Sequence, residues 1–419
     1  MQIKVNRKIL ENFSYVTVLQ VFLLVAPLIT YPYLVRVLGR ELYGVVLTAQ
    51  MLASYVSLIV DFGSNSVCAK HVSINRNDKS KLSEIVSSVL VVRCALFVLL
   101  FVIYYLVVFL VPSYREYTLL FVITYALALN DVLFPQFFFQ GVEEMRYITI
   151  VNIVTKLVFI LLTFVIVKAP DDYLWVPVLY ALGYVIGGLY ALYVIVHRFG
   201  IHFFIPPIPK MMVYVKDSSA IFATDLVCTI KDKFNYLLVG SFLGMSSVVI
   251  YDLGLKLNSI LTKPTYILTT VMFPRIAKDR NISTVKKVLA ISLFVAISLV
   301  LLVNIFLPFI VKFFLAEEID YLPLRLFLIA PILLSISIVI YSGIFVAFGY
   351  NKYAFYSILV TTVVYLLALL FCWFAGLLNN SIHVFVIISL VSYFTEFLYR
   401  CIKGKYIIDR NVSNTSSII

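Results

Sequence analysis

The stretch VLVVRCALFVLLFVIYYLVVFL, Val89 to Leu110, holds one charge, Arg93, in 22 residues. A helix of that length, rising about 1.5 Å per residue, crosses a hydrocarbon core of about 30 Å. A membrane barrel strand would instead show about ten residues alternating apolar and polar, and this stretch does not alternate. Similar runs recur along all 419 residues with short polar breaks between them. The chain is 63% hydrophobic and 13% charged, where a soluble domain carries about 25% charge. These observations exclude a soluble protein and define an all-α polytopic membrane protein.

The hydropathy pattern predicts about twelve spans, at 13–36, 43–62, 84–110, 117–138, 148–168, 174–197, 217–243, 249–274, 287–311, 323–348, 354–376 and 383–402. The first run, Phe13 to Val35, is too long for a secretory signal and has no small-residue cleavage site behind it, so it is expected to stay in the mature chain. An even number of spans puts both termini on one side. With the termini in the cytoplasm, most Lys and Arg fall inside, among them Lys4, Arg7, Lys8, Lys70, Arg76, Lys79, Lys81, Arg275, Lys278, Lys286 and Lys403. The net charge of +12 is therefore read as topology plus attraction to anionic inner-leaflet lipid, with no nucleic-acid partner. The five cysteines fall inside spans or near cytoplasmic ends, where no disulfide is expected. The four histidines have no metal-ligand spacing, and no metal site is expected.

Outside connections are short; the longest carries AEEIDYLP, Ala316 to Pro323, and leaves no room for an extramembrane catalytic domain. The inside connection from Arg198 to Lys216 contains IPPIPK, whose prolines suit a linker. It divides the chain into an N-terminal bundle, 1–205, and a C-terminal bundle, 206–419, of six spans each. A weak internal echo accompanies this division: YLVRVLGRELYGVVL, from Tyr33, lines up by eye with LLVGSFLGMSSVVIY, from Leu237. Halves in the same orientation would form a parallel repeat with the substrate path between them.

A charge at a helix centre costs about 2.5–3.5 kcal/mol on insertion scales, so such residues face a partner or a wet cavity. The intramembrane bases are Arg93, Lys156, Lys231, Lys233, Lys256, Lys263 and Arg325, the last close to the outer boundary where it snorkels. The candidate acids are Asp61, Asp131, Asp225, Asp232, Asp252 and Glu396. Of these, Asp131, Asp225, Asp232 and Glu396 are the deeper candidates for charge partners or ion coupling. Helical spacing predicts polar stripes of Thr149, Asn152, Lys156 and Thr163; of Asp225, Thr229, Asp232 and Tyr236; and of Asp252, Lys256, Ser259 and Lys263. Together they imply a shared wet cavity, with Phe159 on the lipid side. Arg36 and Arg40, at the outer end of the first span, either line a cavity mouth or solvate a turn. Lys231 and Lys233 lie about 200° apart around their helix, so one is expected to pair with an acid of a neighbouring span while the other faces the cavity.

Four stretches carry a resemblance: PLITYPYLVRVLGRELYG (Pro27 to Gly44), KSKLSEIVSSVLVVR (Lys79 to Arg93), FFFQGVEEMRYITIVNIVTK (Phe137 to Lys156) and MFPRIAK (Met272 to Lys278). In these the chain resembles, over essentially its full length, Wzx-type O-antigen or polysaccharide flippases of the multidrug/oligosaccharidyl-lipid/polysaccharide exporter superfamily. The resemblance implies two six-helix bundles around a central cationic cavity in the bacterial inner membrane. It further implies alternating access, carrying an undecaprenyl diphosphate-linked oligosaccharide from the cytoplasmic to the periplasmic leaflet, with membrane lipids and other polysaccharide-assembly proteins as partners. Basic cavity residues would meet the diphosphate: Arg93 and Lys156 sit within the matching motifs, whereas Arg36 is placed only by its turn, and Lys231, Lys233, Lys256 and Lys263 only by their charge. No cofactor is implied, and coupling to protons or sodium stays open.

Two rival functions are weighed. A small-molecule exporter of the same superfamily should have an acidic or apolar cavity, and this one reads as basic. A membrane glycan polymerase or lipid-dependent glycosyltransferase should present a sizeable periplasmic loop, and the acidic outside clusters here, Asp171–Asp172 and Glu317 to Asp320, sit on short loops. A channel would need a filter segment, and none is apparent. The Lys and Arg asymmetry makes a direct forecast: a periplasm-dependent reporter fused at Lys210 or at the C-terminal tail should be silent, and activity at either point would overturn the twelve-span topology.

Overall fold

The computed structural model describes residues 7–416 and is helical throughout, with no strand among the described residues. Lys4, and the side chains of Arg7 and Lys8, lie outside the described residues. Nine helices among the described residues are long and apolar enough to cross a membrane. The first of these apolar segments, Ser14–Ile74, is 61 residues long, about 90 Å of helix, and so is longer than one crossing needs. The chain packs as two compact units, Met1–Leu226 and Val227–Ile419.

The first unit is built from α1 (Arg7–Asp61), α2 (Ser64–Ile74), α3 (Lys79–Leu110), α4 (Pro112–Arg115), α5 (Thr118–Tyr125), α6 (Leu129–Leu133), α7 (Gln136–Gly141), α8 (Met145–Ile166), α9 (Trp175–His197) and the start of α10 (Ile208–Leu243). Asp78 caps α3, its carboxylate accepting from the Lys81 amide at 3.0 Å. The segment from Thr118 to Gly141 is broken into short pieces. Its last break is set by Pro135, which drives Phe134 out of the helical region to φ −112°, ψ 90°. The core of the unit gathers Val72, Ile85 and Val89 around Phe137, Phe138 and Phe139, all fully buried. Phe159, expected on the lipid side, is 1% exposed and stacks on Tyr180 with ring centroids 3.5 Å apart, so it belongs to the packing of α8 on α9.

The second unit holds the rest of α10, then α11 (Met245–Asp279), α12 (Ile282–Ile305), α13 (Leu307–Leu315), α14 (Leu322–Phe327), α15 (Ala330–Ile340), α16 (Asn351–Phe374) and α17 (Ile382–Ser416). A π-helical turn, Tyr341–Val346, follows α15. Ile276, Val288, Val339, Phe345 and Ile407 centre its core. The outward faces of both units are apolar: Val98 and Val102 on α3, Phe294 and Leu301 on α12, and Leu367 and Phe371 on α16 are all exposed, as lipid-facing side chains are. Helices α10 and α11 are 36 and 35 residues long, but charged residues interrupt their apolar runs and neither is among the nine.

The internal echo has a backbone counterpart. Inside α1, Gly39 departs from helical geometry at φ 76°, ψ 163°. At the start of α11, Gly244 stands at φ 85°, ψ 162°. The two glycines end the matching phrases RVLG and SFLG, one residue out of register with the alignment made by eye, which set Gly39 against Leu243. This combination of angles is essentially restricted to glycine, because a Cβ there collides with its own backbone. A Cβ at either position would meet no other atom within 4 Å, so only the local backbone enforces the choice. Gly39→Ala and Gly244→Ala should therefore each destabilise by about 1–3 kcal/mol. Thermal melting of the purified variants measures it, and unchanged melting of both would remove the argument.

Candidate functional site

Arg93 is the most buried charge of the first unit, 0% exposed at mid-helix in α3. Every partner it needs comes from another element. Asp61, at the end of α1, forms its ion pair. Ser64, at the start of α2, accepts from Nε at 3.1 Å and from one terminal nitrogen at 2.6 Å. The other terminal nitrogen donates to the backbone carbonyl of Asp131 at 2.6 Å. That carbonyl is available for a local reason: its helical partner would be the amide four residues on, and residue 135 is proline, which has none. The ring of Phe137 lies 5.5 Å from the guanidinium. Four hydrogen bonds to α1, α2 and α6 thus engage the arginine fork, with the Phe137 ring of α7 beside it.

Near it, α1, α6, α8 and α9 line a pocket of about 230 Å³. Its lining includes Gln50, Asn130, Asp131, Lys156, Tyr180 and Tyr184. The ammonium of Lys156 sits 4.6 Å from the centre of the Tyr180 ring, a cation–π contact. The Asp131 carboxylate is hydrogen-bonded by Ser57. The polar stripe expected along α8 is split: Lys156 borders the pocket, whereas Thr149 and Thr163 are buried and Thr149 donates to the carbonyl of Tyr15 at 3.1 Å. Asn152 turns back to the carbonyl of Ile148 at 2.8 Å. Helical spacing places side chains on one face but does not say whether that face meets water.

In the second unit Lys231 projects from α10 between two carboxylates. It reaches Asp232 at 2.6 Å and Glu396 of α17 at 3.4 Å. Glu396 also binds Arg400 at 2.7 Å, one turn along its own helix. Arg400 in turn donates to the Ser357 hydroxyl at 3.2 Å and the Ser337 carbonyl at 3.3 Å. Two bases and two acids close a neutral cluster that joins α10, α15, α16 and α17. A second layer follows. Asn235 donates to Tyr251 and Ser389, both at 3.0 Å, and accepts from Tyr365 at 2.7 Å. Asp252 pairs with Lys256 and accepts from the Tyr236 hydroxyl.

Lys233 and Lys263 are half-buried, Asp225 is half-buried on α10, and Arg36 and Asp232 are exposed. Sequence reasoning overlooked Arg400, although it falls within the last expected span, and Asn235, which is uncharged. The signal for Arg400 was its i, i+4 spacing from Glu396. Glu84 was also passed over; it binds Lys81 and Lys210, both at 2.5 Å, and so ties the start of α10 to α3.

Buried ion-paired charges, with nine helices among the described residues long and apolar enough to cross a membrane, define a multi-pass membrane protein. The chain belongs to the family described as polysaccharide biosynthesis protein, whose model matches residues 9–280. It is 25% identical over 370 residues to a protein of Escherichia coli (strain K12) named as an O-antigen transporter, covering 86% of this chain and 89% of that one. Its fold matches that of the lipid II flippase MurJ in an inward closed conformation, with a TM-score of 0.78, 14% identity, and coverage of 94% of this chain and 87% of that one. It also matches an inward-facing multidrug-resistance transporter of the MATE family, with a TM-score of 0.67, 14% identity, and coverage of 92% and 99%.

The burial and partners of Arg93 make a stability forecast. Arg93→Ala leaves Asp61 as an unpaired charge and should destabilise by about 3–5 kcal/mol, with part of the loss recovered when Asp61→Asn is added. The melting temperatures of the single and double variants measure this, and a single variant melting like the parent would contradict it.

Proposed function

We propose that this protein is a flippase that moves an undecaprenyl diphosphate-linked oligosaccharide repeat unit across the bacterial inner membrane by alternating access, for O-antigen or capsule-type polysaccharide assembly. Its action is transport, with no covalent bond of the substrate changed. The observation that carries the reading is the set of acid-paired bases inside apolar helices, in a chain aligned along 86% of its length with a protein named as an O-antigen transporter. A sugar diphosphate is too polar to cross hydrocarbon, and fixed bases offset its charge where water is scarce. Carboxylates beside Lys231 and Lys256 offset those charges before the anion arrives, and the diphosphate takes the carboxylate's place.

The proposal includes twelve spans in two bundles of six, a cationic cavity shared by the bundles, and cytoplasmic termini. Diphosphate contact is assigned to Lys231, Lys233, Lys256 and Lys263, with Arg36 at the cavity mouth. Arg93 is left out of that role, since its donors are committed to Asp61, Ser64 and the Asp131 carbonyl. Asp232, Asp252 and Glu396 are the carboxylates that yield.

Deletion of the protein should leave complete, unpolymerised lipid-linked repeat units in the cytoplasmic leaflet. Their accumulation in the periplasmic leaflet would indicate a polymerase, and no accumulation an exporter of other molecules. In the complemented strain Lys233→Ala should abolish glycan export while Lys233→Arg keeps part of it, since the charge is retained. For Lys231, full recovery of export on adding Glu396→Gln to Lys231→Ala would show that the pair only satisfies itself.

A further inference from the structure

The pocket lined by α1, α6, α8 and α9 is not accounted for by the diphosphate. Its volume of about 230 Å³ corresponds to roughly eight waters and falls below the range of about 300–1,000 Å³ usual for drug-sized ligands. One pyranose ring suits it and a disaccharide does not. The lining is mixed in a way that fits hydroxyl groups. The carboxamides of Gln50 and Asn130 each offer donors and an acceptor. The Asp131 carboxylate accepts, the Lys156 ammonium donates, and the two charges offset each other within one cavity. Its one base, Lys156, is matched by one acid, Asp131, and lies against the Tyr180 ring, whereas the diphosphate is assigned to several bases of the second unit. Arg93, which binds the Asp131 carbonyl, is wholly buried and engaged elsewhere. The ring of Tyr184 adds an apolar wall, as the C–H face of a sugar requires.

We propose that this pocket is a monosaccharide subsite, receiving one uncharged sugar ring of the lipid-linked oligosaccharide. The inference rests on the flippase reading and assigns Lys156 to the glycan instead of the diphosphate. The first unit thereby recognises the sugar through hydroxyl contacts that the lipid and its diphosphate do not make. With Asp131 and Lys156 offsetting each other, the pocket has no surplus charge to answer an acidic or amino sugar, which favours a neutral ring.

The test uses the purified full chain in lipid nanodiscs and two probes: the lipid-linked repeat unit that accumulates in a strain lacking this protein, and undecaprenyl diphosphate without sugar. The unsubstituted protein should bind the repeat unit about tenfold more tightly, as a few neutral hydrogen bonds allow. Gln50→Ala combined with Asn130→Ala should remove most of that difference and leave affinity for undecaprenyl diphosphate unchanged, which also shows that the variant is folded. Gln50→Glu keeps the side chain's size but loses its donors, and should weaken the repeat unit alone. A repeat-unit advantage that is absent in the unsubstituted protein, or that survives in the double variant, overturns the subsite. Binding of neither probe by the unsubstituted protein overturns the flippase reading, and this inference with it.

Discussion

Inside hydrocarbon there is no water to solvate a charge, so every ionised side chain in a span must be answered by the protein itself. Arg93 shows how far that demand organises the fold. Its guanidinium is satisfied by Asp61, Ser64 and the Asp131 carbonyl, and satisfying it fixes the ends of α1 and α2 against the middle of α3. The broken segment from Thr118 to Gly141 follows from the same requirement. A continuous helix there would keep the Asp131 carbonyl within its own hydrogen-bond ladder, and Pro135 releases it. A proline that weakens one helix thus supplies an acceptor to another.

The second unit meets the constraint with a different arrangement. Lys231, Asp232, Glu396 and Arg400 neutralise one another, and the uncharged network around Asn235 continues the polar packing towards Tyr365. Buried ion pairs of this kind contribute little net stability, because desolvation offsets much of the attraction. In the proposed mechanism they keep bases available for the anionic substrate. A transporter that must accept an anion and then release it needs such replaceable partners, since a base left bare between cycles would destabilise the empty protein.

The two glycines at φ 76° and φ 85° give the two units a backbone feature in common. Neither is forced by crowding, so what the units share is the non-helical backbone step itself, set between long helical segments. Their polar interiors differ: one buried arginine answered by α1, α2 and α6 in the first, a cluster of four charges in the second.

The helical, membrane-embedded class of this protein was legible in residues such as Val89 to Leu110, because crossing a bilayer imposes a length and a composition that leave few alternatives. The prominence of Arg93, Lys156, Lys231 and Glu396 was legible too, since an intramembrane charge stands out against apolar neighbours. That one of Lys231 and Lys233 would meet an acid of a neighbouring helix was also expected, but which acid answers which base was not. Helical periodicity grouped Thr149, Asn152, Lys156 and Thr163 on one face, yet packing buried the outer two and left Lys156 at a pocket. It likewise sent Phe159 inward onto Tyr180. A helix pattern reports angle around one axis, whereas which face meets lipid, a neighbour or a cavity depends on the helices packed beside it. Only the tertiary structure brought Asp61 to Arg93 across 32 residues and Glu396 to Lys231 across 165, because the match between a buried charge and its partner is made in space.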